Sequence, residues 1–272
     1  MTLAQLRDKF GNVWQYHSRS DNHSKIACWT LLFDLIQECP LLTKHILARK
    51  VGFGINHEMW DFQMNRSKRL DLVLCTIGTD DGKRQPGFAE LADRLKVNLL
   101  PKERSNLSTL PALERVPVGT VYVAVEAKAC MTEHVKALPR LYDELNSSQL
   151  AIHGSADFAI AVGFAMVNFA STFVSTDKNR FSLSERPPIV TKHRQPAVTS
   201  KTIAKLEQIP RRTQGGVDGF DALGIVVVDM VNDGSPVRVV NGPPAPQPQE
   251  PFHYDQMVRR IASLYESKFG NT

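Results

Sequence analysis

Apolar and polar positions along the chain repeat with two different periods, and the changes between them mark out the expected elements. Residues 2 to 17 and 24 to 38 carry a helical period. In the second stretch Ile26, Trp29, Leu32, Phe33 and Ile36 recur at three- and four-residue spacings, and Pro40 closes it. From Ala48 to Ile77 β-formers take over. In RLDLVLCTIG the alternation puts Leu70, Leu72 and Leu74 on one strand face and Asp71, Val73 and Cys75 on the other. A turn-rich stretch from Gly78 to Gly82 leads into a short amphipathic helix over residues 87–97, with Phe88, Leu91 and Leu95 on one side. Residues 98–119 read as loop.

The strongest strand signal is VPVGTVYVAVEAKAC, bounded upstream by Pro117 and Gly119. Its alternation places Val121, Val123 and Val125 on one face and Tyr122, Ala124, Glu126 and Lys128 on the other. A helix is expected from Thr132 and Glu133 to about Leu150, crossing Pro139, which should kink it or mark a late start. AIAVG, within ADFAIAVGFAMVNFA, then reads as a buried strand. Strand, helix and buried strand suggest a parallel crossover, hence an α/β fold with a central mixed β-sheet flanked by helices.

Between Glu185 and Arg212 the chain has seven Lys or Arg against two Glu, with Pro187, Pro188, Pro196 and Pro210 interspersed, so residues 185–215 read as a basic, irregular arm. LGIVVVDMV and NDGSPVRVV form a hairpin pattern with Asp233-Gly234 at its turn. PPAPQPQEP is expected to be a stiff extended linker. The final helix, from about Tyr254 to Phe269, gathers Met257, Ile261 and Leu264 on one face and should dock on the body or on a second subunit. The expected organisation is a body over residues 1–240, with an insertion at about 78–118, followed by a linker and docking helix over 241–272.

At 272 residues, 42% hydrophobic and 22% charged, the chain can bury a sizeable core and is too balanced in composition for a disordered one. Its net charge of +5 favours acidic partners such as nucleic acid. Cys28, Cys39, Cys75 and Cys130 form no CxxC pair, which argues for a reducing cytoplasm and against structural zinc. Charges interrupt MTLAQLRDKF where a signal peptide needs apolar residues, and no stretch approaches 18 uncharged apolar residues. The expectation is therefore a cytoplasmic protein with no membrane span.

Glu126 and Lys128 are two positions apart on a strand, so both side chains point the same way, roughly 6 to 7 Å apart along it. Asp71 sits on an earlier strand. Hydrolysing a phosphodiester needs a divalent cation at the phosphoryl oxygens, an activated water and help for the leaving oxygen. Two acids on neighbouring strands suit hard Mg2+, and the carbonyl of Ala127 can add a third oxygen. Competing motifs are incomplete. His57-Glu58-Met-Trp-Asp61 lacks the second histidine of a zinc helix. Gly52-Phe-Gly54 and Gly215-Gly216 with Gly219 lack the rest of a nucleotide loop, and no Gly-x-Ser-x-Gly elbow occurs. Cys130 has only His134 near it in sequence, too little for a cysteine nucleophile.

Asp71 in KRLDLVLC, with Glu126 and Lys128 in VYVAVEAKA, resembles the signature of the PD-(D/E)XK nuclease superfamily. The resemblance implies a restriction-endonuclease-like core in which Asp71 and Glu126 hold Mg2+, with Mn2+ able to substitute. It also implies that Lys128 orients or deprotonates the attacking water, and that a helix beginning near Thr132 follows the catalytic strand. Two departures stand out. Leu70 occupies the proline position, and 54 residues lie between Asp71 and Glu126, which requires residues 78–118 to be an insertion carrying its own helix. That leaves Asp80, Asp81 and Glu114 as alternative first acids. Members often carry another acid on an N-terminal helix, for which Glu38 or Asp34 is available, and Glu58 can face the site from a neighbouring strand.

The expected activity is Mg2+-dependent endonucleolytic cleavage of double-stranded DNA, by a homodimer because cutting two strands needs two sites. A type II restriction endonuclease is the leading role; a defence effector or a repair nuclease would carry the same residues. The contrasting expectation is a non-catalytic DNA-binding protein in which Glu126 and Lys128 merely pair with each other. Arg186, Lys192, Arg194, Lys201, Lys205, Arg211 and Arg212 of the basic arm are candidates to neutralise phosphates, and Gln195, Thr199, Ser200 and Gln214 to meet base edges.

Overall fold

A computed structural model describes residues 6–62, 64–79, 85–214 and 216–270. In chain order the elements are β1 (Leu6–Arg7), β2 (Val13–Trp14), α1 (Asn22–Glu38), α2 (Pro40–Leu47), β3 (Val51–Asp61), β4 (Arg66–Ile77), α3 (Phe88–Arg94) and α4 (Pro101–Thr109). There follow β5 (Val118–Cys130), α5 (His134–Ser155), β6 (Ile160–Asn168), β7 (Thr172–Val174), β8 (Val190–Lys192), α6 (Ala197–Leu206), β9 (Ala222–Asp229), β10 (Arg238–Val239) and α7 (Tyr254–Phe269).

Six strands form a mixed central sheet in the order β10-β9-β6-β5-β4-β3. Strands β3, β4 and β5 are antiparallel neighbours, β5, β6 and β9 run parallel, and β10 returns antiparallel after the Asp233-Gly234 loop. The architecture is α/β, and β5-α5-β6 is the parallel crossover that the strand, helix, strand pattern called for. Helices cover both faces. On one, α1, α2, α3 and α7 bury Trp29, Leu32, Leu42, Phe88, Ile261 and Tyr265 against Val123, Val125 and Phe164. On the other, α5 and α6 bury Leu141, Leu145, Ile203 and Leu206 against Val73, Ala124, Ala161 and Leu223. Cover on both sides explains why β6, IAVGFAMVN, shows no polar alternation. Each fully buried large apolar side chain contributes about 1.5–3 kcal/mol relative to exposure.

Several local expectations are corrected. Residues 6–17 form the β1–β2 pair rather than a helix. The Asp8 carboxylate accepts the backbone N–H groups of Phe10 and Asn12 and the indole N–H of Trp14, and Gly11 takes φ +86°, so the side chain offers a turn that outcompetes the helix. Pro40 does not simply end α1; it is the first residue of α2, where its missing N–H costs nothing. The stretch 98–119 contains α4, which also starts at a proline and is capped by the Glu103 carboxylate accepting from the Leu100 N–H at 2.7 Å. The segment between β4 and β5 thus carries two helices.

The basic arm contains β8 and α6 rather than being irregular throughout. PPAPQPQEP is folded back on the body, with Ala245 and Phe252 buried and Gln247 bonded to the Asn241 and Ala245 carbonyls. Helix α7 has the expected bounds and docks within the same core as α1. All four cysteines are free and buried. No single helix among the described residues is long and apolar enough to cross a membrane.

Candidate active site at a strand fork

Strands β4 and β5 pair from Ile77 opposite Val118 to Leu72 opposite Val125, and their pairing ends there. On the other side of β4, Leu72 pairs with Ile55 and Leu70 with His57, but the intervening Asn56 adopts φ +54° and makes no ladder pair with Asp71. The pleat slips at this point. Leu72 and Leu74 pack toward α1, whereas Leu70 packs with Val73 toward α5, so the three leucines do not share a face as their spacing suggested.

The slip turns Asp71 into the fork. Its Oδ2 accepts the Ala127 N–H at 2.8 Å, replacing the partner that β4 no longer provides, and its Oδ1 accepts from Ser24 Oγ at 3.0 Å. In a strand the N–H and C=O of one residue point to the same edge, so the Ala127 carbonyl is directed to the fork as well. Despite the long intervening segment, the first acid reaches the E-x-K strand.

Glu126 and Lys128 do share a face, the one toward α5. Lys128 Nζ lies 2.7 Å from Glu126 Oε1 and 3.3 Å from Glu144 Oε2 of α5, and Lys68 Nζ is 3.9 Å from the same Oε1. Tyr122 leaves that face. A register shift beside it makes it the extra residue of a bulge, and its ring stacks on Phe269 of α7 at 4.3 Å. Glu126 is only 1% exposed, and its Oε2 has no hydrogen-bond partner among the described residues.

Burial raises the carboxyl of Glu126 above its ordinary range; Lys128 opposes the shift and the Asp71 charge adds to it. Asp71 is raised by burial too, against the Ala127 N–H and Lys128. Burial pulls the Lys128 ammonium down, but Glu126, Glu144 and Asp71 outweigh it and leave it raised. The buried Cys28 thiol of α1 is pushed up by desolvation and by the charges of Asp71 and Glu126.

This donor set fits a small hard cation. Asp71, the unpartnered Oε2 of Glu126 and the Ala127 carbonyl are all oxygens. Among the described residues no three His, Cys, Asp or Glu side chains converge as a ready cage. Mg2+ suits such a partial set because it keeps several waters and is commonly held by one or two carboxylates.

The other proposed acids lie elsewhere. Glu38 is fourteen positions beyond Ser24 on α1, roughly 21 Å along the axis, and approaches Arg259 at 3.9 Å. Asp34 accepts a hydrogen bond from Tyr254 Oη at 2.6 Å. Glu58 is exposed and bonded to Ser67, as expected of a strand residue outside any zinc motif. Glu114 is exposed and its carbonyl accepts from the Phe53 N–H, three residues before Asn56 on β3. Asp80 and Asp81 lie outside the described residues.

The N-terminal helix does contribute, through its first turn rather than its later acids. Besides Ser24, Asp21 forms an ion pair with Lys25 at 2.7 Å and its charge raises Asp71. His23 packs on Tyr16 with ring centroids 4.8 Å apart and planes tilted by 48°; burial brings its imidazole down to about 4, with Lys128 acting in the same direction. Sequence reasoning missed Asp21, His23, Lys68 and Glu144. The polar run Ser20–Ser24, just before the apolar helical period, was a helix-start signal that would have located the first two. Lys68 and Glu144 carried no local signal.

The basic candidates separate into two groups. Arg186, Lys192, Arg194, Lys201 and Arg211 are exposed, with Arg186 lying over the Phe181 ring and Arg211 over Phe252. Lys205 is half-buried over Tyr142. Arg212 is not a surface cation: it is 2% exposed, bonded to Asp221 at 2.9 Å and Asp157 at 3.0 Å, and it also donates to the Asp157 and Ala159 carbonyls. Thr199 is fully buried, bonded to Gln195 and the Asn168 carbonyl, which removes it from the candidates for base edges; Ser200 and Gln214 remain exposed. Compared with protein-family models, with curated proteins and with solved structures, the chain finds no match.

Proposed function

We propose that this chain is a Mg2+-dependent endonuclease of the restriction-endonuclease-like type, acting on DNA, with Asp71, Glu126 and Lys128 as its catalytic residues. One observation carries the reading. Glu126 is buried at a strand fork beside a second acid, with one oxygen on Lys128 and the other without a partner among the described residues. A structural ion pair accounts for Oε1 and leaves Oε2 as an uncompensated desolvation of about 1–3 kcal/mol or more. A fold that needed only stability would do as well with an apolar pair. A cation ligated through Oε2 removes the discrepancy, so the catalytic reading is preferred to a DNA-binding protein in which the two residues only pair.

Asp71 and Glu126, with the Ala127 carbonyl, would hold the ion, and Mn2+ can replace Mg2+. When bound, it supplies neutralising charge at the phosphoryl oxygens and lowers the pKa of a water. Lys128 keeps its charge, held by Glu126 and Glu144, and with two N–H groups facing those carboxylates it has a third to offer a water or phosphate oxygen. Ser24 fixes the Asp71 carboxylate from the α1 side, and Lys68 adds a second cation near the developing negative charge. The exposed Lys192, Arg194 and Lys201 are available for backbone phosphates, and a homodimer would place two such sites on the two strands of a duplex. A restriction role is the leading biological reading.

The test is cleavage of plasmid DNA with Mg2+ and with EDTA by the wild type and by Asp71→Ala, Glu126→Ala and Lys128→Ala. The wild type should cut only with the metal, and each variant should be slower by about a hundredfold or more. Equal cutting by all four, or cutting by none, rejects the assignment.

A further inference from the structure

Beside the fork, on the α1 face of the sheet, lies a second feature that the cleavage chemistry does not use: an open cavity of about 910 Å³. It runs over the C-terminal halves of the parallel strands β6 and β9 and past Met131, just beyond the end of β5, where open α/β sheets bind ligands. Its size is within the range of small-molecule sites. His23 joins it to the fork. That residue lines the cavity and directly precedes Ser24, whose hydroxyl holds Asp71.

The lining defines the ligand chemistry. Phe164 and Tyr254 present a tilted ring pair with centroids 5.6 Å apart, Tyr16 and His23 a second pair, and Met131 and Met166 add polarisable thioethers. Asn22 and Asn98 bring amides, each able to donate and accept. Among the cavity's described lining residues there is no Lys or Arg, and Asp255 is the one acid. His17, His23 and His253 are its basic side chains, whereas the neighbouring fork carries the two ammonium groups of Lys128 and Lys68, the stronger seat for a phosphate. The complementary ligand is a flat, neutral heteroaromatic group attached to a phosphate that lies in the fork.

We infer that this cavity is a nucleobase site, which receives an unpaired or extruded base of the substrate strand next to the phosphodiester held at the fork. The inference rests on the nuclease reading for its phosphate anchor. It narrows the substrate to DNA that offers an unstacked base, such as a bulge, a frayed end or a single strand. Extruding a base costs a few kcal/mol in a paired duplex and least where the base is already unpaired, so unpaired substrates are favoured.

The test measures binding to the full chain in EDTA, where the metal-dependent reaction is off. Fluorescence anisotropy compares a duplex carrying one bulged 2-aminopurine with the fully paired duplex, and 2-aminopurine emission reports stacking. The wild type should bind the bulged duplex about tenfold more tightly and quench its emission. Two cavity-filling variants on different elements, Thr30→Trp on α1 and Met166→Trp on β6, should each abolish the preference and the quenching while leaving affinity for the paired duplex unchanged. Equal affinity of the wild type for both duplexes, or a preference that survives both fillers, overturns the site. If both fillers leave binding intact and convert a dimer to a monomer, the cavity is a contact between copies and the inference falls. Failure of the nuclease reading appears separately, as absence of Mg2+-dependent cleavage of either duplex.

Discussion

Lys128 holds one oxygen of Glu126 at 2.7 Å and leaves the other oxygen of the same buried carboxylate without a partner among the described residues. A divalent cation that completes this carboxylate binds the folded state and not the unfolded chain. At a concentration a hundred times its dissociation constant it adds about 2.7 kcal/mol of stability. Thermal melts with Mg2+ or Mn2+ should therefore show the wild type gaining several degrees over EDTA, and Glu126→Gln and Asp71→Asn gaining almost nothing. Equal gains in all three proteins would mean that the ions bind elsewhere.

Two arginines of the basic segment should part company. Arg212→Ala leaves Asp221 buried without its guanidinium, so denaturant unfolding should show a loss of about 3–5 kcal/mol. Arg194→Ala, at an exposed position, should leave stability within about 0.5 kcal/mol of wild type. If Arg194 meets a phosphate, the slope of log affinity against log salt should become shallower by about one. A stable Arg212→Ala protein would contradict the buried-cation geometry.

Gly154 lies near the end of α5, where alanine would ordinarily help a helix by about 1 kcal/mol. Here a Cβ would be driven into the Asp61 carboxyl, and that side chain is buried and fixed by Arg66. Gly154→Ala should accordingly destabilise, by about 1–3 kcal/mol. Adding Asp61→Ala should relieve the clash, so a double-mutant cycle will show strong coupling if the contact decides the sign.

Glu133, which precedes α5, is held down to about 2 from an ordinary 4.5 by hydrogen bonds from Lys178 and Lys136. A carboxyl lowered on folding contributes stability that is complete above about pH 4.5 and fades as the pH falls toward 2. The group is about one-third exposed, so solvent screening keeps the contribution to at most about 1 kcal/mol. Glu133→Gln should cost up to that amount at pH 7 and nothing at pH 2. A constant difference across the range would mean that the loss is not electrostatic.

Periodicity revealed what depends on local alternation. It located β5, the crossover to β6 and the helix Tyr254–Phe269, and it put Glu126 and Lys128 on one face because nothing distorts β5 between them. It failed where a side chain or a bulge overrides the pattern. Asp8 captured the backbone of residues 6–17, Tyr122 was displaced by a register shift, and the slip at Asp71 sent Leu70 to the opposite side from Leu72. That slip is what makes the fork, so the feature on which the site depends is the one that alternation could not express. Lys68 and Glu144 reach Lys128 and Glu126 only through the tertiary fold, and no spacing in the chain announces them.

The shared core of α1 and α7 bears on the order in which the fork is completed. Helix α1 positions Ser24 against Asp71, yet its apolar side is sealed by Met257, Ile261 and Tyr265, which are made long after it. During synthesis the early helix and the fork emerge with no lid over their hydrophobic side, and only the arrival of α7 lets that layer close. A contact so distant in sequence is slow to form. The layer that steadies the fork from the α1 side is therefore complete only when residues as late as Phe269 have joined the core.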